Sequence, residues 1–212
     1  TYDPNMVMAV SFTEKAAGEL QERLHNLDVV GVQTRTFHSA ALQQLSYFWP
    51  QTVGGDAPKI LNSKVQVISH VLAQIGLQKN NEALRDLAAE IEWRKVSLLK
   101  LDKYAQMQES RPAVAGLTHD QIIDVMQKYE DLKQERRQID FEDVLLLLTG
   151  MLQEEPRVAD TVRQRYRFFN VDEFQDVDHI QYEIITKLAS KDNELYVVGD
   201  PDQTIYTWRG AD

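Results

Sequence analysis

The sequence predicts an α/β fold in which a parallel sheet is interrupted by an all-helical insertion. Three observations predict it. A β-rich stretch, Asn5–Phe12, precedes apolar residues at helical spacing and then a second β-branched stretch, Val29–Phe37. That strand–helix–strand order is the unit of a parallel sheet. From about residue 38 to 138 the β signal vanishes, and it returns in Phe168–Val171 and Leu195–Val198.

The elements follow in order. Ala16, Ala17, Leu20 and Leu24 share one helical face between the first two strands. Pro50–Pro58, with Gly54-Gly55 inside it, reads as a seam. Asn62 or Ser63 caps a helix with the stripe Val65, Ile68, Leu72 and Ile75, which Gly76 ends. Leu84, Leu87, Ala88 and Ile91 make a second stripe, and Thr118 with Gln121 makes a capping box before Ile122, Val125, Met126, Tyr129 and Leu132. Asp140 precedes an apolar helix through Val144–Leu148, and Pro156 suits the first turn of a short helix bearing Val158 and Val162. Ile180, Ile184 and Leu188 mark the helix between the last two strands. The expected division is residues 1–50 and 137–212 for the discontinuous α/β part and 51–136 for the helical part.

Composition excludes several classes. Lys plus Arg is 23 against Asp plus Glu 33, a formal charge of −10, so the chain does not hold nucleic acid by bulk charge. A local phosphate-binding groove stays open to it. With 0 cysteines there is no disulfide framework, thiol chemistry or cysteine-ligated zinc. The longest apolar runs, Met6–Val10 and Val144–Leu148, are far too short to span a bilayer, and no secretory leader is recognisable. A cytoplasmic setting is expected.

Two strands end in acids, Val171 before Asp172-Glu173 and Val198 before Gly199-Asp200. Open parallel sheets bind ligands at such strand ends. An Asp there suits the hydrated metal of a magnesium nucleotide, and a following Glu suits the attacking water. Taken alone, an Asp-Glu pair more often caps the next helix. What strengthens the catalytic reading is the company: Gln203, Tyr206, Trp208 and Arg209 crowd the segment after the last strand. Aromatic and Arg side chains of this kind stack on bases and hold phosphates in single-strand binding. Each residue also has a plainer role. His38 suits a helix start or core, Phe12 the apolar face of its strand, Tyr206 and Trp208 packing, and Trp93, off the main stripe of its helix, a packing or surface role.

Asp172-Glu173-Phe174-Gln175-Asp176 and the run from Val198 through Arg209 resemble motifs II and III of the UvrD/Rep-type superfamily 1 DNA helicases. Ser11–Ala17 resembles motif Ia, Thr36–Ser39 resembles motif Ib, and Asp140–Leu145 resembles the acidic segment after the insertion. The resemblance implies a RecA-like P-loop NTPase parallel sheet, here incomplete, as subdomain 1A with a helical subdomain 1B inserted. It implies ATP and Mg2+ as cofactors, with Asp172 on the metal, Glu173 activating water and Gln203 at the γ-phosphate. Phe12, Thr13, Thr36, His38, Tyr206, Trp208 and Arg209 are then expected to line a single-stranded DNA groove.

The implied activity is 3′→5′ translocation on single-stranded DNA and at single-strand/duplex junctions, in DNA repair, on the bacterial nucleoid. A helicase–nuclease of recombination or a non-catalytic DNA-binding or partner-docking module are the alternatives. Glu14 stands where an Asn is usual, Pro201 replaces a common acid, and Val177-Asp178 replaces Thr-Asn. No Gly-x-x-x-x-Gly-Lys-Ser/Thr phosphate loop occurs in these residues. The resemblance implies that it lies upstream and that a second motor domain follows. These residues alone are therefore expected to hydrolyse no ATP, and to self-associate or rearrange where a strand is missing beside the one carrying Asp172.

Overall fold

The computed structural model describes residues 3–78 and 80–204. The chain divides into two compact units, one of residues 1–57 and 144–212, the other of residues 58–143.

In the first unit, Asp3 caps a short 3-10 turn, Pro4–Met6, which leads into β1 (Val7–Ser11). The hydroxyl of Thr13 accepts the Ala16 N–H and starts α1 (Glu14–Asn26). β2 is Gln33–Thr36. It is shorter than the expected Val29–Phe37: at its start Val29 N–H still bonds back to the Leu24 carbonyl of α1, and at its end Thr36 accepts the Ser39 N–H and makes Phe37 the first residue of α2 (Phe37–Thr52). That helix runs through Pro50, which sits in its last turn, so the expected seam begins later.

In the second unit, β3 (Lys59–Ile60) precedes α3 (Lys64–Gln74), capped by Ser63. Its buried face is Val67, Ile68, Val71 and Leu72, whereas Val65, expected on the stripe, is exposed. α4 (Asn81–Val96), α5 (Leu101–Ala105) and α6 (His119–Glu135) follow, the last with the expected Thr118/Gln121 capping box. Ile68, Val71, Leu72, Leu87, Ile91 and Tyr129 are fully buried in one core. Each such side chain contributes about 1.5–3 kcal/mol relative to exposure.

β4 (Gln138–Ile139) pairs in parallel with β3, a contact the sequence does not signal. Asp140 then starts α7 (Phe141–Glu154): its Oδ1 accepts the Asp143 N–H at 2.9 Å, and Asp143 Oδ2 accepts the Asp140 N–H at 3.0 Å. Asp140 is 1% exposed and also takes Lys95 Nζ at 2.8 Å, Lys133 Nζ at 3.1 Å and Tyr129 Oη at 2.8 Å. This network belongs to the helical unit. The unit boundaries accordingly fall at 57/58 and 143/144 rather than at the expected 50/51 and 136/137. The half-buried Trp93 packs against the helical core under the guanidinium of Arg111, 3.3 Å from its ring centroid.

Back in the first unit, α8 (Pro156–Arg165) precedes β5 (Phe168–Val171), and α9 (His179–Leu188) precedes β6 (Glu194–Val197). The sheet order is β2-β1-β5-β6, all parallel. β5 is therefore paired on both flanks. A gap beside the strand carrying Asp172 is not what the structure has, because the crossover through α9 returns β6 to that flank. Among the described residues the edge strands are β2 and β6, and on β6 and just after it Leu195, Tyr196, Val197 and Val198 are 38–55% exposed. Among the described residues no helix is long and apolar enough to cross a membrane.

Candidate functional site

Because all four strands run the same way, their carboxyl ends meet at one edge. The register aligns Ser11 with Thr36, Val10 with Val171, and Val171 with Val197. Thr36 and Asp172 thus lie level with Ser11 and Val198 on four neighbouring strands spaced about 4.8 Å apart, and Thr13 and Asp200 follow two residues further along their loops. The crossovers diverge between β1 and β5, one pair leading to β2 and the other to β6. Such a switch point opens a crevice at the carboxyl edge of an α/β sheet.

Asp172 follows β5 directly, its N–H donating to the Val10 carbonyl at 3.1 Å. Its Oδ1 accepts the Glu173 N–H at 2.9 Å. Glu173 takes the left-handed conformation, φ 52 and ψ 42, which costs a non-glycine residue roughly 1–2 kcal/mol. Residues held in such conformations cluster at functional sites. Neither acid caps the next helix. Asp178 does so, in a capping box with Gln181, and Glu173 makes no side-chain cap to its own 3-10 turn, Phe174–Asp176. Asp178 in place of the usual Asn keeps that cap, since both residue types serve. Partial burial, then the charges of Asp172 and Asp176, push the Glu173 carboxyl above the ordinary carboxylate range. That is the direction a proton acceptor working near neutral pH requires.

After β6 the chain crosses the Asp172 loop. Phe174 N–H donates to the Val198 carbonyl at 2.8 Å, and Gln175 Oε1 accepts the Asp200 N–H at 3.0 Å. Asp200 caps a second 3-10 turn, Pro201–Gln203, and its Oδ2 accepts Gln203 Nε2 at 2.9 Å. Pro201 takes the first position of that turn, where its missing N–H is not needed. The structure therefore brings Asp172, Glu173 and Gln203 onto adjacent loops. Gln175 and Gly199, to which the sequence reading gives no role, lie between them. Their only sequence signal is membership of the two acidic motifs.

On the other side of the edge, the hydroxyls of Thr13 and Thr36 cap α1 and α2. Thr36 Oγ1 also donates to Glu14 Oε1 at 3.5 Å, so Glu14 ties the two loops together from the first turn of α1. Phe12 and His38 are half-buried beside them. Tyr206, Trp208 and Arg209 lie outside the described residues. Among the described residues no group of three or more His, Asp or Glu forms a metal cluster. An apolar cavity of about 70 Å³ in this unit is lined by residues such as Met8, Phe37, Tyr166 and Ile184; none of the acids lines it, so it is a packing gap and not the site.

The chain is 37% identical over 97% of its length to the ATP-dependent DNA helicase UvrD2 of Mycobacterium tuberculosis, covering 31% of that protein. It is 29% identical over 99% of its length to the ATP-dependent DNA helicase PcrA of Bacillus subtilis, covering 28% of it. UvrD1 of Mycobacterium tuberculosis is likewise 29% identical over 97% of this chain and 28% of its own length. The chain thus spans less than a third of the curated relatives it matches. The family model for the UvrD/REP helicase N-terminal domain matches residues 1–212, and the chain belongs to that family.

Proposed function

We propose that the chain is part of an ATP-dependent 3′→5′ DNA helicase or translocase that acts on single-stranded DNA in bacterial DNA repair, in the cytoplasm on the nucleoid. Residues 1–57 and 144–212 are its RecA-like subdomain 1A and residues 58–143 its subdomain 1B. The observation that carries this reading is the convergence of Asp172, Glu173 and Gln203 on adjacent loops at the carboxyl edge of a parallel sheet, with Thr13 and Thr36 on the same edge.

Asp172 holds Mg2+ in this reading. A half-exposed carboxylate at a strand end fits an ion that keeps several waters and takes its other ligands from phosphates. When bound, the ion supplies charge neutralisation on the transferred phosphoryl group. Glu173 accepts the proton of a water as its oxygen attacks the γ-phosphorus and the bond to ADP breaks. Gln203 contacts the γ-phosphate and relays its loss to the DNA groove. Phe12, Thr13, Thr36 and His38 line that groove with Tyr206, Trp208 and Arg209. The N-termini of α1 and α2 offer backbone N–H groups to DNA phosphates there, which suits an acidic chain that lacks a general attraction for polyanions.

The test is Glu173→Gln in the full-length protein, with nucleotide affinity and DNA-stimulated ATP turnover measured separately. Affinity is expected to survive while turnover falls by roughly 10²–10⁴, the contribution of a positioned general base. Equal losses in both would make Glu173 a structural residue and remove the reading.

A further inference from the structure

We infer that Gln175 is a positioning residue that fastens the Gln203 loop to the Glu173 loop, so that a change at the γ-phosphate and the proton-accepting carboxylate act as one unit. This rests on the proposed roles of Glu173 and Gln203.

The fastening is a short chain of bonds. Glu173 and Gln175 share one 3-10 turn, and the neighbouring Phe174 N–H donates to the Val198 carbonyl at 2.8 Å. Gln175 Oε1 accepts the Asp200 N–H at 3.0 Å, and the Asp200 carboxylate accepts Gln203 Nε2 at 2.9 Å. Asp200 is thus gripped on its backbone by one loop and grips Gln203 with its side chain. Apart from these contacts the Asp200–Gln203 segment is exposed, so little else described holds it in register.

Gly199 makes the grip possible by close approach. A Cβ there would lie 2.6 Å from Gln175 Oε1 and 3.0 and 3.1 Å from the backbone nitrogens of Gln175 and Phe174. A side chain there displaces Gln175 Oε1 and presses on the Phe174–Gln175 backbone by a few tenths of an ångström. The choice of an amide at 175 has an electrostatic reason. The acceptor belongs to a run with Asp172, Glu173 and Asp176 and bonds the backbone of a further acid, Asp200, and a neutral oxygen takes that N–H without adding to their mutual repulsion.

The experiment uses the full-length protein and three variants. Gln175→Met keeps the length of the side chain and removes the acceptor. Gly199→Ala displaces the same acceptor without removing it. Gln175→Glu retains the acceptor and adds a charge. With saturating single-stranded DNA, Gln175→Met and Gly199→Ala are expected to lower kcat about ten- to a hundredfold, the scale of an ångström-level misplacement. KM for ATP, DNA affinity and the melting temperature should change little. Gln175→Glu is expected to recover much of the kcat lost in Gln175→Met, because its carboxylate keeps an acceptor for the Asp200 N–H.

Wild-type kcat in Gln175→Met overturns the inference. So does a parallel fall of kcat and melting temperature that Gln175→Glu does not relieve. Should Gln175→Met fail to fold, Gly199→Ala and Gln175→Glu are read by the same criteria. Glu173→Gln, run alongside, separates the two ideas: if it leaves turnover intact the site reading itself falls, whereas a dead Glu173→Gln beside a normal Gln175→Met removes only the role of Gln175.

Discussion

Replacing Asp140 by Ala should open the helical unit without touching the candidate site. The carboxylate is 1% exposed and accepts from Lys95, Lys133, Tyr129 and the Asp143 backbone. Its loss leaves the Tyr129 hydroxyl buried without that partner, which costs about 1–3 kcal/mol. It also removes the charge shared by two ammonium groups that are 2–3% exposed. Those ammonium groups keep Asp143 and Glu130, so they are not left bare. A total of about 3–5 kcal/mol, the usual cost of breaking a buried ion pair, is expected.

Hydrogen exchange followed by mass spectrometry reads this locally. Amides of α4 and α6 that exchange through opening of the unit should do so roughly 10²- to 10⁴-fold faster, since about 1.4 kcal/mol is a factor of ten. Acceleration below about tenfold would show that the charges merely offset their own desolvation, and would refute the reasoning. The pH dependence gives a second check. Burial acts to raise the Asp140 pKa, but the charges of Lys95 and Lys133 outweigh it and hold the carboxyl well below its usual range. Its stabilisation is therefore complete above the unfolded value of about 3.9 and is lost as pH falls through the folded value. Glu142 opposes this slope, because burial raises its carboxyl and its contribution fades as pH rises. In Asp140→Ala the loss of protection below about pH 4 should shrink.

Two further outcomes are expected. Asp176→Asn removes one of the charges that raise the Glu173 carboxyl, so the acid limb of the kcat–pH profile of the full-length protein should move to lower pH; an unmoved limb would mean that Glu173 does not control it. The exposed outer edge of β6 should make the 212-residue chain self-associate, and Val197→Lys should reduce this in sedimentation velocity, because a charge on an edge strand opposes strand pairing.

The sequence by itself determined the four strands of the main sheet, most of the helices between them, the helical insertion and the identity of the acids at the strand ends, but not α2, α5, β3 or β4. Those features are local: hydrophobic periods, caps such as Thr118 with Gln121, and acids placed directly after apolar runs. Even the end of β2 at Thr36 has a local cause, in the cap that Thr36 supplies to α2. Only the tertiary structure decided that β6 lies against β5, since the neighbour of a parallel strand is set by a crossover path that no residue pattern encodes. The same holds for the ion network of Lys95, Lys133 and Asp140, whose lysines are separated by 38 residues and look like any solvated charges until α4 and α6 pack together. It holds most directly at the candidate site. Gln175 and Gly199 lie 24 residues apart, and their contact exists because neighbouring parallel strands carry both loops to one edge. Chemistry is written in residue types, but the pairing of two loops depends on where long-range hydrogen bonds place them.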